Sequence, residues 1–191
     1  MSNDLTEADL LRAAFRDLHG ARLYGFALLV TQGDRTRAAQ AASTALTAGA
    51  QRAVELRHPE RAAAWLRRRA LKELRRTRAS PHVTPGERHA ALVEIGSAEP
   101  AIAALAQLTQ VRRAALVAGL VERFALTDVA TILGTDLVGA QRALSGARRE
   151  YLTATSHWLD ALPSAAIPGG ALADRVDRVA TRAVGPRRME A

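Results

Sequence analysis

Apolar residues recur at intervals of three and four along most of this chain, the spacing of helices that bury one face. Thr6, with Asp9 three residues on, predicts the start of a first segment carrying Leu10, Leu11, Ala14, Phe15 and Leu18 at helical spacing. His19-Gly20 predicts an interruption, after which Ala21 to Thr31 is almost wholly apolar and reads as a buried central helix. Gly33 predicts a stop and Asp34 a cap for a third segment, Arg35 to Leu56, rich in alanine and interrupted at Gly49. Pro59 suits the first turn of a fourth, with Ala62, Trp65, Leu66, Ala70 and Leu74 on its core face. Ser80 to Gly86, with two prolines and a glycine, reads as a linker. Beyond it the pattern predicts helices over Glu87 to Ile95, Pro100 to Leu108 and Gln110 to Phe124, the last capped by Thr109.

Thr127 to Leu152 carries the most informative pattern. Val129, Ala130, Ile132 and Leu133 make a short apolar helix, and Gly134 supplies the left-handed residue at its end. Ala130 keeps the inner corner narrow, and Thr135 or Asp136 can cap a second helix. This is the grammar of a helix-turn-helix, in which the second helix enters the DNA major groove. Its outer face offers Gln141, Arg142, Ser145, Arg148 and Arg149, types suited to base edges and phosphates. Two packed helices with a glycine turn also occur in bundles that bind no DNA. Gly139 and Gly146 each lower the helix propensity of this segment by about 1 kcal/mol relative to alanine. Pro163 to Gly170 reads as a second linker, followed by a weakly amphipathic stretch with Leu172, Val176, Val179 and Ala183 on one side. With no strand alternation and no internal repeat, the expectation is an all-α chain. It would hold two small helical domains, residues 1–79 and 99–159, joined by a linker over 80–98 and followed by an extension over 160–191.

Composition agrees with helices. Hydrophobic residues are 48% of the chain and aromatics only 4%. The core must therefore be built from Ala, Leu and Val, which suit helices better than sheets. The absence of cysteine excludes disulfides and thiolate-ligated zinc and is compatible with a cytoplasmic setting. No apolar run approaches a membrane span, and Asp4, Glu7 and Asp9 are unlike a signal peptide, so no membrane insertion is expected.

The net charge of +8 matters through its location. Residues 1–79 hold fifteen Lys/Arg against eight Asp/Glu, residues 80–159 seven against seven, and the remainder five against four. Within the first half, Arg67, Arg68, Arg69, Lys72, Arg75, Arg76 and Arg78 stand with a single acid, Glu73. Phosphates are natural counterions for such a helix, although a GC-rich genome also inflates arginine and a solvated face is the alternative. Trp65 beside this run invites a stacking role, but it shares the apolar side with Ala62 and Leu66 and reads as core.

The five histidines, His19, His58, His82, His89 and His157, are scattered and do not suggest zinc. No glycine-rich phosphate loop, nucleophile elbow or acid–base pair is evident, so neither enzyme chemistry nor a cofactor is expected.

The order of these parts resembles one family. Tyr24-Gly25-Phe26-Ala27-Leu28-Leu29-Val30-Thr31-Gln32-Gly33-Asp34 is similar to an apolar helix ending in Thr-Gly-Asp, and Ala64-Trp65-Leu66-Arg67-Arg68 to a Trp-Leu-basic helix. Arg113-Ala114-Ala115-Leu116, Ala130-Thr131-Ile132-Leu133-Gly134 and Leu144-Ser145-Gly146-Ala147-Arg148-Arg149 fit the approach to, and body of, a terminal helix-turn-helix. Over roughly Leu10 to Leu152 the chain thus resembles a bacterial RNA polymerase sigma factor of the extracytoplasmic-function type. The resemblance implies two DNA-reading domains, residues 1–79 like sigma region 2 and 99–159 like region 4, which bind core RNA polymerase and promoter DNA. It also admits an anti-sigma protein as partner. The chain departs from the family at Gln40-Ala41-Ala42-Ser43-Thr44, where an acidic polymerase-docking stretch is usual, and at Gly49-Ala50, where aromatics are usual. It departs again at Gly139-Ala140-Gln141-Arg142-Ala143 in the reading helix. Two other functions therefore stay open: a sigma-like regulator that binds a protein without initiating transcription, and a helix-turn-helix DNA-binding protein independent of polymerase.

Overall fold

The computed structural model describes residues 7–52, 55–56 and 58–155 and is all-α over them. Thr6 as a cap, and everything expected beyond Thr155, including the extension over 160–191, lie outside the described residues. Three long helices, α1 (Glu7–Val30), α2 (Arg35–Ala50) and α3 (Pro59–Arg76), pack on one another. The remainder comprises α4 (Pro85–Glu94), α5 (Glu99–Gln107), α6 (Gln110–Leu116), a π-helical turn (Val117–Val121), α7 (Leu126–Leu133) and α8 (Leu137–Ala154).

α1 is continuous through His19-Gly20, where the sequence predicts an interruption. His19 is buried with its ring 4.8 Å from Phe15, edge to face, and every residue from Leu23 to Val30 is buried. Burial of that face outweighs the weak helix propensity of glycine, the usual tertiary override. Gly49 likewise lies inside α2 and does not interrupt it. A Cβ there would stand 2.7 Å from the Phe15 ring and 2.8 Å from Leu66, so the glycine lets two helices approach α2 closely. α2 ends at Ala50, short of Leu56. Ala38, Ala41, Ala42 and Ala45 carry its buried face, and α3 adds Ala62, Leu66, Ala70 and Leu74, as its spacing predicts.

Pro85-Gly86, expected in the linker, instead begins α4. Thr84 and Glu87 cap it reciprocally, a capping box. The expected helix over Gln110 to Phe124 is capped by Thr109 but leaves α-geometry after Leu116. There Glu122 N–H bonds the Val117 carbonyl at 2.9 Å, the widened spacing of a π-turn.

The turn between α1 and α2 is where the later chain attaches. Gln32 and Gly33 have φ of 57° and 81°. The Gly33 N–H closes α1 on the Leu28 carbonyl at 2.9 Å, and a left-handed residue at a helix end permits this. Asp34 accepts from Arg37 N–H at 3.1 Å, capping α2 as expected. The same carboxylate, fully buried, accepts from Ser80 N–H and Ser80 Oγ, both at 2.9 Å, and pairs with Arg88 at 3.2 Å. Burial pushes its pKa up, but the bonds from Ser80 and Arg37 and the Arg88 charge outweigh this and hold it below the ordinary value. Arg113 of α6 donates to the Val30 carbonyl at 2.9 Å and to the Leu105 and Leu108 carbonyls. Burial, then the Arg37 charge, lowers its pKa to about 10, so it remains a cation at neutral pH, held by helix-end carbonyls. The buried side chains of both halves form one contiguous cluster.

Two glycine substitutions test this packing in opposite directions. At Gly33 a Cβ would meet the Arg88 backbone carbonyl at 2.1 Å, and φ is positive. Gly33→Ala should therefore cost about 3 kcal/mol in urea denaturation. At Gly146 the nearest atoms to a Cβ, in the Arg112 guanidinium, lie 3.7 Å away. Gly146→Ala should therefore add about 0.5–1 kcal/mol in the same titration.

Candidate nucleic-acid interface

α7 is short and buries Val129, Ala130, Ile132 and Leu133. Gly134 ends it with φ 71° and ψ 40°, and the Ala130 carbonyl accepts from both Gly134 N–H (2.9 Å) and Thr135 N–H (3.1 Å). Of the two expected caps, Asp136 serves: its carboxylate accepts from Gly139 N–H at 2.7 Å. Thr135 instead folds over Gly139, where a Cβ would fall 2.2 Å from its hydroxyl. The glycine that weakens helix propensity thus makes room for the cap.

α8 buries Ala140, Gly146, Ala147 and Tyr151. At about 100° per residue this leaves one outer arc. The structure exposes Gln141, Arg142, Ser145, Arg148 and Arg149 along it. Gln141 donates to Ser145 Oγ at 3.1 Å. Among the described residues no carboxylate pairs with Arg142, Arg148 or Arg149. The arc also contains Leu137 and Val138, 50% and 64% exposed, which a reading led by charge passes over. Their signal is in the sequence: both directly follow the cap residue and share the wheel position of Gln141 and Arg142.

α3 carries six of the seven cations of the basic run, and Arg78 lies exposed just beyond its end. Arg68, Lys72, Arg75 and Arg76 lie outward, and Arg69 is half-buried. Arg67, expected to meet phosphate, is instead withdrawn to 2% exposure. Its guanidinium is paired bidentately with Glu122, which follows the π-turn, one of the two bonds being 2.6 Å. It lies 4.8 Å from the Phe124 ring centroid and 5.8 Å from that of Phe26. Both distances are within the range of cation–π attraction. Arg67 cannot reach a surface ligand. It ties α3 to the second half. Trp65 packs partly into the core, as expected, with Arg52 5.7 Å over its ring.

This tie brings the basic strip of α3 beside α7 and the turn into α8. Arg75 donates to the Leu133 carbonyl at 3.4 Å, at the negative end of α7. Arg68 lies over the Gly134 turn, 3.9 Å from the position of a Cβ. Under Arg68 runs a groove of about 780 Å³ lined by Thr127, Thr131, Asp136, Leu137 and Val138. No group of three or more metal-ligating side chains converges among the described residues, and no described helix is long and apolar enough to cross a membrane.

No protein-family model, curated protein or solved structure matches the chain.

Two expectations follow from the withdrawn arginine. Glu122→Gln leaves a buried charge without its partner and should cost about 3–5 kcal/mol, whereas Arg68→Ala and Lys72→Ala should stay within about 0.5 kcal/mol. Replacing both partners, Arg67→Met with Glu122→Leu, should recover most of that loss in the same urea titration. His19, near this pair, has its pKa lowered from 6.5 to about 4 by burial and then by the Arg67 charge. Between those two values the unfolded chain binds more protons than the folded one. Stability from the neutral imidazole is therefore complete above the unfolded value and is lost as pH falls through the folded one. The loss should be on the order of 2 kcal/mol. His19→Gln should flatten this part of the pH–stability curve.

Proposed function

We propose that this chain is a sigma-like transcription initiation protein, binding core RNA polymerase and promoter DNA. It would contact duplex through the outer face of α8 and through the outward cations of α3, Arg68, Lys72, Arg75 and Arg76, with the half-buried Arg69 beside them. The observation that carries the reading is the α7–Gly134–α8 corner with Gln141, Arg142, Ser145, Arg148 and Arg149 all on its outer arc. A helix so capped and so exposed can enter a major groove, where arginine and glutamine pair with guanine and adenine edges. Arg67 leaves the set of contact residues, because it is buried against Glu122.

A second reading, a helix-turn-helix DNA-binding protein independent of polymerase, is favoured by the placing of α3. The two promoter hexamers of the sigma scheme are separate stretches of duplex. Here the basic strip of α3 lies against the α7–α8 turn, so both cationic faces address one stretch. The missing acidic docking stretch around Gln40 to Thr44 supports the same reading, and equally a regulator held by an anti-sigma protein.

Gel filtration with reconstituted core polymerase separates these. Comigration together with promoter-dependent transcription supports the first reading, and absence of both overturns it. Duplex binding without polymerase, weakening steeply with salt, supports the second. In either case Arg142→Ala should cost about 1–3 kcal/mol on the preferred duplex, and Lys72→Ala should weaken all duplexes alike, both read by fluorescence anisotropy.

A further inference from the structure

We infer that Leu137 and Val138 read thymine through its C5 methyl group, while Arg68, reaching across from α3, holds the neighbouring phosphate. This rests on the duplex-binding reading and specifies what the duplex must contain.

Leu137 and Val138 stand side by side at 50% and 64% exposure, adjoining the groove under Arg68. Nothing in the described fold uses them: the core face of α8 begins at Ala140. They occupy the first turn of α8, the part of a recognition helix whose residues meet base edges. Thymine is the base with an apolar group in the major groove, and an aliphatic side chain is its natural contact. Gln141 and Arg142, one turn on, supply donors for adenine and guanine.

The surroundings favour a polyanion as occupant. Arg68, Arg142 and Arg149 carry no carboxylate partner among the described residues, and Asp136, the acid in the groove lining, accepts from the Gly139 N–H. A second copy of a chain with net charge +8, meeting through this same face, would bring like charges together. Arg68 belongs to the first half of the chain and sits over the turn of the second, so one short stretch of duplex would touch both.

Selection of the full chain on a random duplex library gives the probe. Each thymine of the enriched duplex is then replaced singly by deoxyuridine, which removes the methyl and leaves base pairing intact. We expect one or two positions at which the loss of the methyl weakens binding roughly three- to tenfold by anisotropy. At one such position Val138→Ser, with an unchanged thermal midpoint, should bind the thymine duplex as weakly as the native chain binds the uracil duplex, and should no longer distinguish them. Arg68→Ala should keep the thymine preference, weaken both duplexes equally and lower the slope of log affinity against log salt by about one. An enriched duplex that binds equally with thymine or uracil overturns the methyl contact and leaves duplex binding standing. No enrichment overturns the duplex reading itself. Self-association abolished by Val138→Ser would overturn the methyl contact too, by showing that the apolar pair is covered by protein.

Discussion

The four residues Thr31 to Asp34 hold the polar groups on which the rest of the architecture depends. α1 ends there among buried side chains, so its last carbonyls have no water to turn to and need donors from elsewhere. Arg113 supplies one to Val30, Arg88 one to Thr31, and Ser80 with Arg88 neutralises and bonds the buried Asp34. Each donor comes from a different later segment: the linker, α4 and α6. Gly33 permits this because any side chain would occupy the space of the Arg88 backbone.

Such pins matter more in this chain than in one with an aromatic core. α2 presents Ala38, Ala41, Ala42 and Ala45 to its neighbours, and small, uniform side chains pack almost equally well in several registers. Directional bonds to unsatisfied carbonyls and to a buried carboxylate select one arrangement, because every alternative leaves them unpaired. The Arg67–Glu122 pair acts in the same way at the α3–α7 side.

Local chemistry was legible in the sequence where one residue type has one use. Gly33, Asp34, Pro59, Thr109 and Gly134 all act as their positions imply. Where a residue has two uses, context decides. Gly20 and Gly49 read as breaks, yet both lie inside continuous helices, and what stands opposite Gly49 is set by residues on other helices. The π-turn at Val117 is invisible for a similar reason: it places Glu122 and Phe124 around Arg67, 55 residues before that glutamate. Composition alone sends Arg67 to phosphate, although a helical wheel sets it between Leu74 and Leu71 on the buried side. At the candidate site the polar face of α8 follows from Asp136 and the helical period. The neighbouring Arg68 does not, since it depends on how the halves meet.

That meeting alters the meaning of the charge distribution. Read linearly, the positive charge belongs to residues 1–79 and the helix-glycine-helix segment lies in a neutral half. In the folded chain Arg68 and Arg75 stand over the turn into α8 and at the α7 C-terminus. Arg67 holds them there, and it does so by giving up its own exposure to pair with Glu122. Neutralising one cation in the interior thus carries the field of its neighbours onto the outer face of the other half. A charge count by segment would assign that face almost no potential. The geometry gives it a cluster of cations without carboxylate partners among the described residues, drawn from both halves of the chain.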